Sequence, residues 1–310
     1  MKPILIAERV CLITHVAAMI FGLAGLLLVL PHPDFVLSLP SFGQRLFQWS
    51  MAGGGVVYII LGAAAVALHA YRTLGTAKLL TFLLPAVLIS AGSELLGTST
   101  GFPFGHYAYL NGLGYKIAGL VPFTIPLSWF YMGLSAFLLA YCGLFSRSAG
   151  RAWSVGWLSA LSVLVGAILL TSWDFVLDPA MSQAPVPFWE FQEIGAFFGM
   201  PYRNLAGWTG TGAIFMAVAA LLWRHSPILL SRSQLIVPLI TYLVNFGFGA
   251  AITLVSLDQR YWIPTAIGVV LGVIPALALW WSAPISLQDE LTDPIQVEAL
   301  TAPPLEVVSK

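Results

Sequence analysis

The chain has 310 residues, of which 59% are hydrophobic and only 8% are charged, against roughly a quarter charged residues in an ordinary soluble domain. The formal net charge is zero. No basic face is therefore available to release counterions from phosphates, and we expect no nucleic-acid partner. The composition favours the lipid bilayer and apolar or small molecules as partners.

Eight apolar blocks follow one another along the chain, each of about the length that a ~30 Å hydrocarbon layer requires of a helix. The first is too long for the core of a signal peptide, so we expect it to be retained. We predict an all-α integral membrane protein with a polytopic transmembrane domain over residues 1–283 and a disordered acidic tail over residues 284–310. The blocks cover residues 4–30, 47–70, 78–96, 118–145, 153–173, 205–223, 235–256 and 262–282.

Basic residues are distributed unequally between the two sides of this arrangement. The termini and the loops after spans two, four and six carry Lys2, Arg9, Arg72, Lys78, Arg147, Arg151, Arg224, Arg232 and Lys310, whereas the other side carries Arg45, Lys116, Arg203 and Arg260. Positive charge accumulates on the cytoplasmic side of membrane proteins. The sequence therefore predicts cytoplasmic termini in a multi-pass protein of the cytoplasmic or thylakoid membrane.

Two connections on the non-cytoplasmic side are long, residues 97–117 and residues 174–204. Both mix aromatic residues, Gly and Pro with a few acids. Irregular backbone of this kind is tolerated at membrane depth only where protein buries it or where it lines a cavity. We expect two aromatic-rich re-entrant or interfacial loops that close one site.

Several kinds of chemistry lack their motifs. The five histidines are scattered, with no pair at the spacing of helical metal ligands, so no metal is predicted. No Walker-type or dinucleotide-binding glycine motif is present, and no serine lies in a G-x-S-x-G turn. Carboxylates remain as the candidate reactive groups.

The stretch TSWDFVLDPAM places Asp174 and Asp178 four residues apart. If the fifth helix continues that far, both carboxyl groups lie on one face within about 6 Å. Like charges that close resist joint ionisation, and an apolar surrounding adds to this, so one carboxyl is expected to keep its proton near neutral pH. The alternative is a helix cap and a turn at Asp178-Pro179.

Three further acids lie near the same membrane boundary. Glu94 lies near the end of span three, where an ionisable group is a functional candidate by default. Its alternative is an ion pair with Lys116. Glu190 and Glu193 form either a second acid pair or the polar face of an interfacial helix.

Aromatic residues crowd the same stretches. Most are expected to form an interfacial belt, but a desolvated ring face stabilises a cation by about 0.5 to 2 kcal/mol. A proton donor, aromatic walls and apolar access together suggest carbocation chemistry on an isoprenoid.

Three motifs carry a resemblance to a known family. In order they are E-x-x-G-x-x-T-G-x-P-F-G from Glu94, W-D-x-x-x-D-P from Trp173, and G-x-P-x-x-N-x-x-G-W from Gly199. Over about residues 85–225 the chain resembles the membrane carotenoid-biosynthesis proteins that include the CruF-type carotenoid hydratases. The resemblance implies addition of water to the terminal 1′,2′ double bond of an acyclic ψ end group, as in γ-carotene or lycopene, giving a 1′-hydroxy carotenoid.

This resemblance implies a cofactor-independent hydro-lyase that acts on an apolar carotenoid and water. Further carotenoid-biosynthesis enzymes, such as a glycosyltransferase, are candidate partners. Our hypothesis makes Asp174 the general acid, coupled to Asp178, and Glu94 the group that orients or deprotonates the water. The predicted substrate-binding residues are His106, Tyr107 and Asn204 around the water, Trp173 and Trp208 facing the cation, and Phe104 and Trp189.

Other classes of function stay open at this point. A carotenoid- or quinone-binding protein or a transporter would use buried acids as proton relays. A carotenoid cyclase also begins by protonating an alkene, and water access alone separates it from a hydratase.

Overall fold

A computed structural model describes residues 2–148 and 154–285. Eight of its helices are long and apolar enough to cross a membrane, so the predicted class and number of spans are confirmed. The predicted acidic tail lies, from residue 286 onward, outside the described residues.

The helices follow the apolar blocks with shifted ends. Four single turns of π- or 3₁₀-helix extend or join them, at Gly25–Val29, Pro179–Gln183, Gln259–Tyr261 and Val269–Val273. The α-helices are α1 Lys2–Ala24, α2 Pro33–Ser38, α3 Ser41–Leu74, α4 Thr76–Thr100, α5 Thr124–Arg147, α6 Val155–Asp178, α7 Tyr202–Trp223, α8 Ile236–Ser256, α9 Trp262–Gly268 and α10 Ile274–Ser282.

Helix α5 is the centre of the bundle. It is buried from Thr124 to Gly143 except at Leu127, which is partly buried, and α3, α4, α6, α8 and α10 pack around it. A helix that is apolar on all sides is expected to be buried among other helices in this way. The first turn of α5 therefore lies at the base of the space between the neighbouring helices.

Helix α6 extends further than the sequence predicts. The fifth block ends at residue 173, because an aspartate follows, but the helix continues to Asp178. Hydrogen bonds from distant residues make burial of its acids tolerable. At Pro179, which has no N–H to donate, the helix becomes a single π-helical turn.

The two long outer connections are joined by a short antiparallel ladder. Strand β1, Tyr107–Tyr109, pairs with β4, Trp189–Phe191, in the register Tyr107 to Phe191 and Tyr109 to Trp189. A second small hairpin pairs β2, Lys116–Ile117, with β3, Val121–Pro122. The ladder brings both connections to one place, and their re-entry into the membrane stays a prediction.

Candidate functional site

A cavity of about 40 Å³ lies between the ladder and the ends of α4, α5, α6 and α7. This space is large enough to hold water, because a cavity of roughly 10–15 Å³ already admits one molecule. Its polar wall includes Glu94, Asp178 and Asn204. Its aromatic wall is formed by Phe104, Tyr107, Tyr109, Trp129, Trp189, Phe191 and Trp208.

The two aspartates of α6 share one donor. The amide nitrogen of Asn204 donates to Asp174 Oδ2 at 2.8 Å and to Asp178 Oδ2 at 2.5 Å. The indole of Trp189 donates to Asp178 Oδ1 at 2.9 Å. Asp174 Oδ1 is buried and has no hydrogen-bond partner among the described residues. Two buried carboxyl groups are thus held by neutral donors alone in the part of the chain that is described.

Glu94, on α4, has a different environment. It accepts hydrogen bonds from the Tyr107 hydroxyl, from the Tyr109 hydroxyl at 2.9 Å and from the Trp129 indole at 2.8 Å. Three hydrogen-bond donors suit an ionised carboxylate, because its oxygens only accept hydrogen bonds. Burial, followed by the negative charge of Glu94, raises the pKa of both tyrosines well above the usual value, so they remain donors.

The lysine considered as a partner for Glu94 lies elsewhere. Lys116 Nζ donates to the backbone carbonyl of Tyr109 at 2.5 Å. Within residues 2–148 and 154–285, no cation makes a salt bridge to Glu94. The ion-pair alternative for Glu94 is therefore not found in the described structure.

Phe104 is seated in a slot made by two glycines. A Cβ atom on Gly97 would lie 2.8 Å from one edge of its ring, and a Cβ on Gly207 would lie 2.6 Å from the other. Both distances are shorter than side chains tolerate. The glycines of the first and third motifs therefore allow α4 and α7 to hold this ring at the cavity.

Stacked indoles form part of the cavity wall. The rings of Trp129 and Trp208 lie 4.2 Å apart at 25°, and Trp173 meets Trp208 edge-on at 5.8 Å. Offset stacks and edge-to-face pairs are the favoured arrangements of aromatic rings. The cavity consequently has a rigid π surface beside its carboxylates.

Seven of the ten predicted site residues line the cavity. These are Glu94, Phe104, Tyr107, Asp178, Trp189, Asn204 and Trp208. Asp174 lies directly behind them, one hydrogen bond away through Asn204. Trp173 supports Trp208 from behind and donates to the carbonyl of Asn245 at 3.2 Å, whereas His106 is exposed and packs on Gly101.

Sequence reasoning did not assign Tyr109, Trp129 and Phe191, although all three line the cavity. For Tyr109 and Phe191 a signal exists. The alternation of Tyr107 with Tyr109, and of Trp189 with Phe191, puts each pair on one face of a strand. Trp129 lies among many apolar residues of α5, and only its contact with Glu94 distinguishes it.

The second acidic pair of the outer connections is not part of the site. Glu190 faces outward from β4 and is exposed. Glu193 forms an ion pair with Arg203, whose Nε lies 3.0 Å from Glu193 Oε1, and this hydrogen bond lowers the pKa of Glu193. In the described chain, no group of three or more His, Cys, Asp or Glu side chains is arranged to hold a metal ion.

The fold and the cavity together define a multi-pass membrane protein with buried carboxyl groups in an aromatic-lined cavity. The chain belongs to the carotenoid biosynthesis protein family, whose model matches residues 54–275. The resemblance inferred from the three motifs is thereby confirmed.

A curated relative carries a more specific name. The bisanhydrobacterioruberin hydratase of Haloarcula japonica is 36% identical to this chain over 132 residues. The alignment spans 43% of this chain and 41% of the relative. No solved structure matches the chain.

Proposed function

We propose that the protein is a carotenoid hydratase that adds water to the terminal 1′,2′ double bond of an acyclic ψ end group, as in γ-carotene or lycopene, and yields a 1′-hydroxy carotenoid. The observation that carries this proposal is the presence of two differently bonded carboxyl centres, Glu94 and the aspartate pair, at one cavity large enough to hold water. Membership of the family and the hydratase name of the relative support it.

The aspartate pair is the acid in this proposal. Two carboxyl groups that share one amide donor in a buried place resist joint ionisation, so the pair retains a proton. Our sequence hypothesis gives the acid role to Asp174. The cavity-lining position of Asp178 favours Asp178 as the group that delivers the proton, with Asp174 as its buried partner.

Glu94 is the base. Its three donors stabilise the carboxylate form, and it lines the same cavity as Asp178. A water molecule in that cavity lies within reach of both centres. An acid and a base held in one site are what hydration of an alkene requires.

The reaction balances with these groups alone. The acidic proton of the aspartate pair bonds to C2′ of the alkene, and a tertiary cation forms at C1′. The stacked rings of Trp129 and Trp208 stabilise that cation. The oxygen of water then bonds to C1′, its surplus proton passes to Glu94, and proton exchange with solvent restores both centres.

The test is expression in a bacterial host that accumulates lycopene or γ-carotene, grown in ¹⁸O-labelled water, with mass spectrometry of the pigments. We expect a pigment one water heavier that carries the label. A pigment of unchanged mass but new structure would point to a cyclase, and oxygen taken from O₂ or unchanged pigments would contradict the proposal.

Variants test the assigned roles in the same host. Asp178→Asn, Asp174→Asn and Glu94→Gln should each reduce hydrated pigment by about a hundredfold or more, because general acid–base groups typically contribute 10²- to 10⁴-fold. Glu190→Gln is the matched control, since this acid is exposed on the outer side of β4. Near-normal hydration by Asp178→Asn or Asp174→Asn, with the protein present in the membrane, would refute the assigned acid.

A further inference from the structure

A second, larger cavity of about 430 Å³ lies between α1 and α3. Its volume falls within the ~300 to 1,000 Å³ usual for ligand pockets. Its lining is almost wholly apolar and includes Trp49, Leu113, Met181, Phe188 and Phe248. The carboxylate cavity, at about 40 Å³, is by contrast too small for a long apolar chain.

Missing side chains create much of this space. Gly25, Gly53 and Gly54 all line the cavity, and a Cβ atom on any of them would meet no atom within 4 Å. A glycine inside a helix destabilises that helix relative to alanine. Close packing explains the neighbouring Gly55, whose Cβ would lie 2.7 Å from a backbone oxygen of Gly112, but it does not explain these three.

The two cavities adjoin each other through two chain segments. Asp178 lines the carboxylate cavity, and Met181, one turn further along the chain, lines the apolar one. On the second segment Trp189 lines the carboxylate cavity and its neighbour Phe188 lines the apolar one. The Phe188 N–H donates to the Met181 carbonyl at 2.7 Å, which ties the segments together.

We propose that the apolar cavity binds the conjugated polyene chain of the substrate while its reacting end group enters the carboxylate cavity past Phe188. This rests on the proposed function, because a carotenoid joins a long apolar chain to the end that reacts. The polyene chain needs an apolar site beside the aspartate pair. The glycine-lined cavity adjoins the carboxylate cavity that contains this pair's Asp178. Gly54 then sets how much polyene the site accepts.

The test separates binding from chemistry. A carotenoid in a detergent micelle is in an achiral surrounding, whereas one held in a protein cavity acquires circular dichroism in its visible absorption band. We would add lycopene to the purified full-length protein and to Gly54→Leu, and measure this induced signal. Gly54→Leu fills the cavity and should lose at least nine-tenths of the signal.

Gly247→Leu is the matched control. Gly247 lies in α8, also has no atom within 4 Å of a Cβ position, and is exposed outside the cavity, so this variant should keep the wild-type signal. Asp178→Asn should keep the signal and lose hydration. Wild-type binding without hydrated product would refute the proposed function but not the polyene site.

Two results would overturn the polyene site itself. One is a Gly54→Leu signal equal to that of the wild type. The other is a wild-type protein with no induced signal, as expected if a lipid acyl chain alone occupies the cavity. Hydrated pigment in the host, together with either result, would leave the hydratase intact and place the polyene elsewhere.

Discussion

Asn204 connects the two aspartates through one amide nitrogen. Each carboxyl group receives a hydrogen bond from it, at 2.8 and 2.5 Å, and the side chain is only 3% exposed. A buried carboxyl that loses its donor bears the full cost of desolvation. The relative positions of the two acids therefore depend on a residue 26 positions from Asp178 in the sequence.

Replacement of Asn204 by leucine should reduce hydration by about a hundredfold or more, because the acid pair loses the donor that positions its proton. The measurement is hydrated pigment per unit of membrane-inserted protein. Gln259→Leu is the control, since this residue is exposed between α8 and α9 and the loss of its amide should change hydration less than twofold. Wild-type activity in Asn204→Leu would remove Asn204 from the site.

At the scale of helices, α4 and α7 meet at the cavity through the Phe104 ring. Gly207→Ala would place a Cβ 2.6 Å from that ring, and overpacking of this kind typically costs 1 to 3 kcal/mol. We expect the ring to be displaced toward the carboxylates, with at least a tenfold loss of hydration and normal insertion.

Gly210→Ala, three residues further along α7, is the matched control. No atom lies within 4 Å of its Cβ position, so activity should remain at the wild-type level. Equal activity of the two alanine variants would show that the slot for Phe104 is unimportant.

A buried ion pair joins the beginning of α1 to the end of α3. Arg72 Nε lies 2.6 Å from Glu8 Oε2, and the nitrogen Nδ1 of His69 lies 3.3 Å from Glu8 Oε1. The Glu8 side chain is 2% exposed and that of Arg72 is 22% exposed. The pair consequently lies largely outside water, where loss of one partner leaves an uncompensated charge.

Arg72→Gln should lower the melting temperature of the detergent-purified protein, since removal of one partner of a buried pair costs at most about 3 to 5 kcal/mol. Asp258→Asn removes half of the exposed pair with Arg260 and should leave the melting temperature unchanged, because solvent screens an exposed ion pair. An unchanged melting temperature in Arg72→Gln would contradict a stabilising role for the Glu8 contact.

For the whole molecule, the distribution of Lys and Arg predicts an orientation. The sequence predicts nine of these residues on the side of the termini and four on the other, so we propose that both termini are cytoplasmic and the carboxylate cavity lies toward the opposite side. Green fluorescent protein, which fluoresces only when it folds in the cytoplasm, should be bright at either terminus. Alkaline phosphatase, which is active only outside, should be active when fused after residue 112. Dark fluorescent fusions at the termini together with inactive phosphatase after residue 112 would show that the orientation is the opposite one.

The sequence alone predicted the parts of the fold that depend on local physics. The eight spans follow from the length of apolar runs against the thickness of a bilayer. The shared face of Asp174 and Asp178 follows from their spacing on one helix, and Glu94 is recognisable because an ionisable group near the end of a span is costly. The three motifs also predicted the family.

Only the tertiary structure decided which side chains meet. Trp129 reaches Glu94 across 35 residues of sequence, and Trp189 reaches Asp178 through the ladder between two loops. Periodicity cannot show that Asp178 lines the cavity while Asp174 lies behind it, because both point the same way from one helix. Their different positions depend on packing between distant segments, and a local pattern carries no information about those contacts.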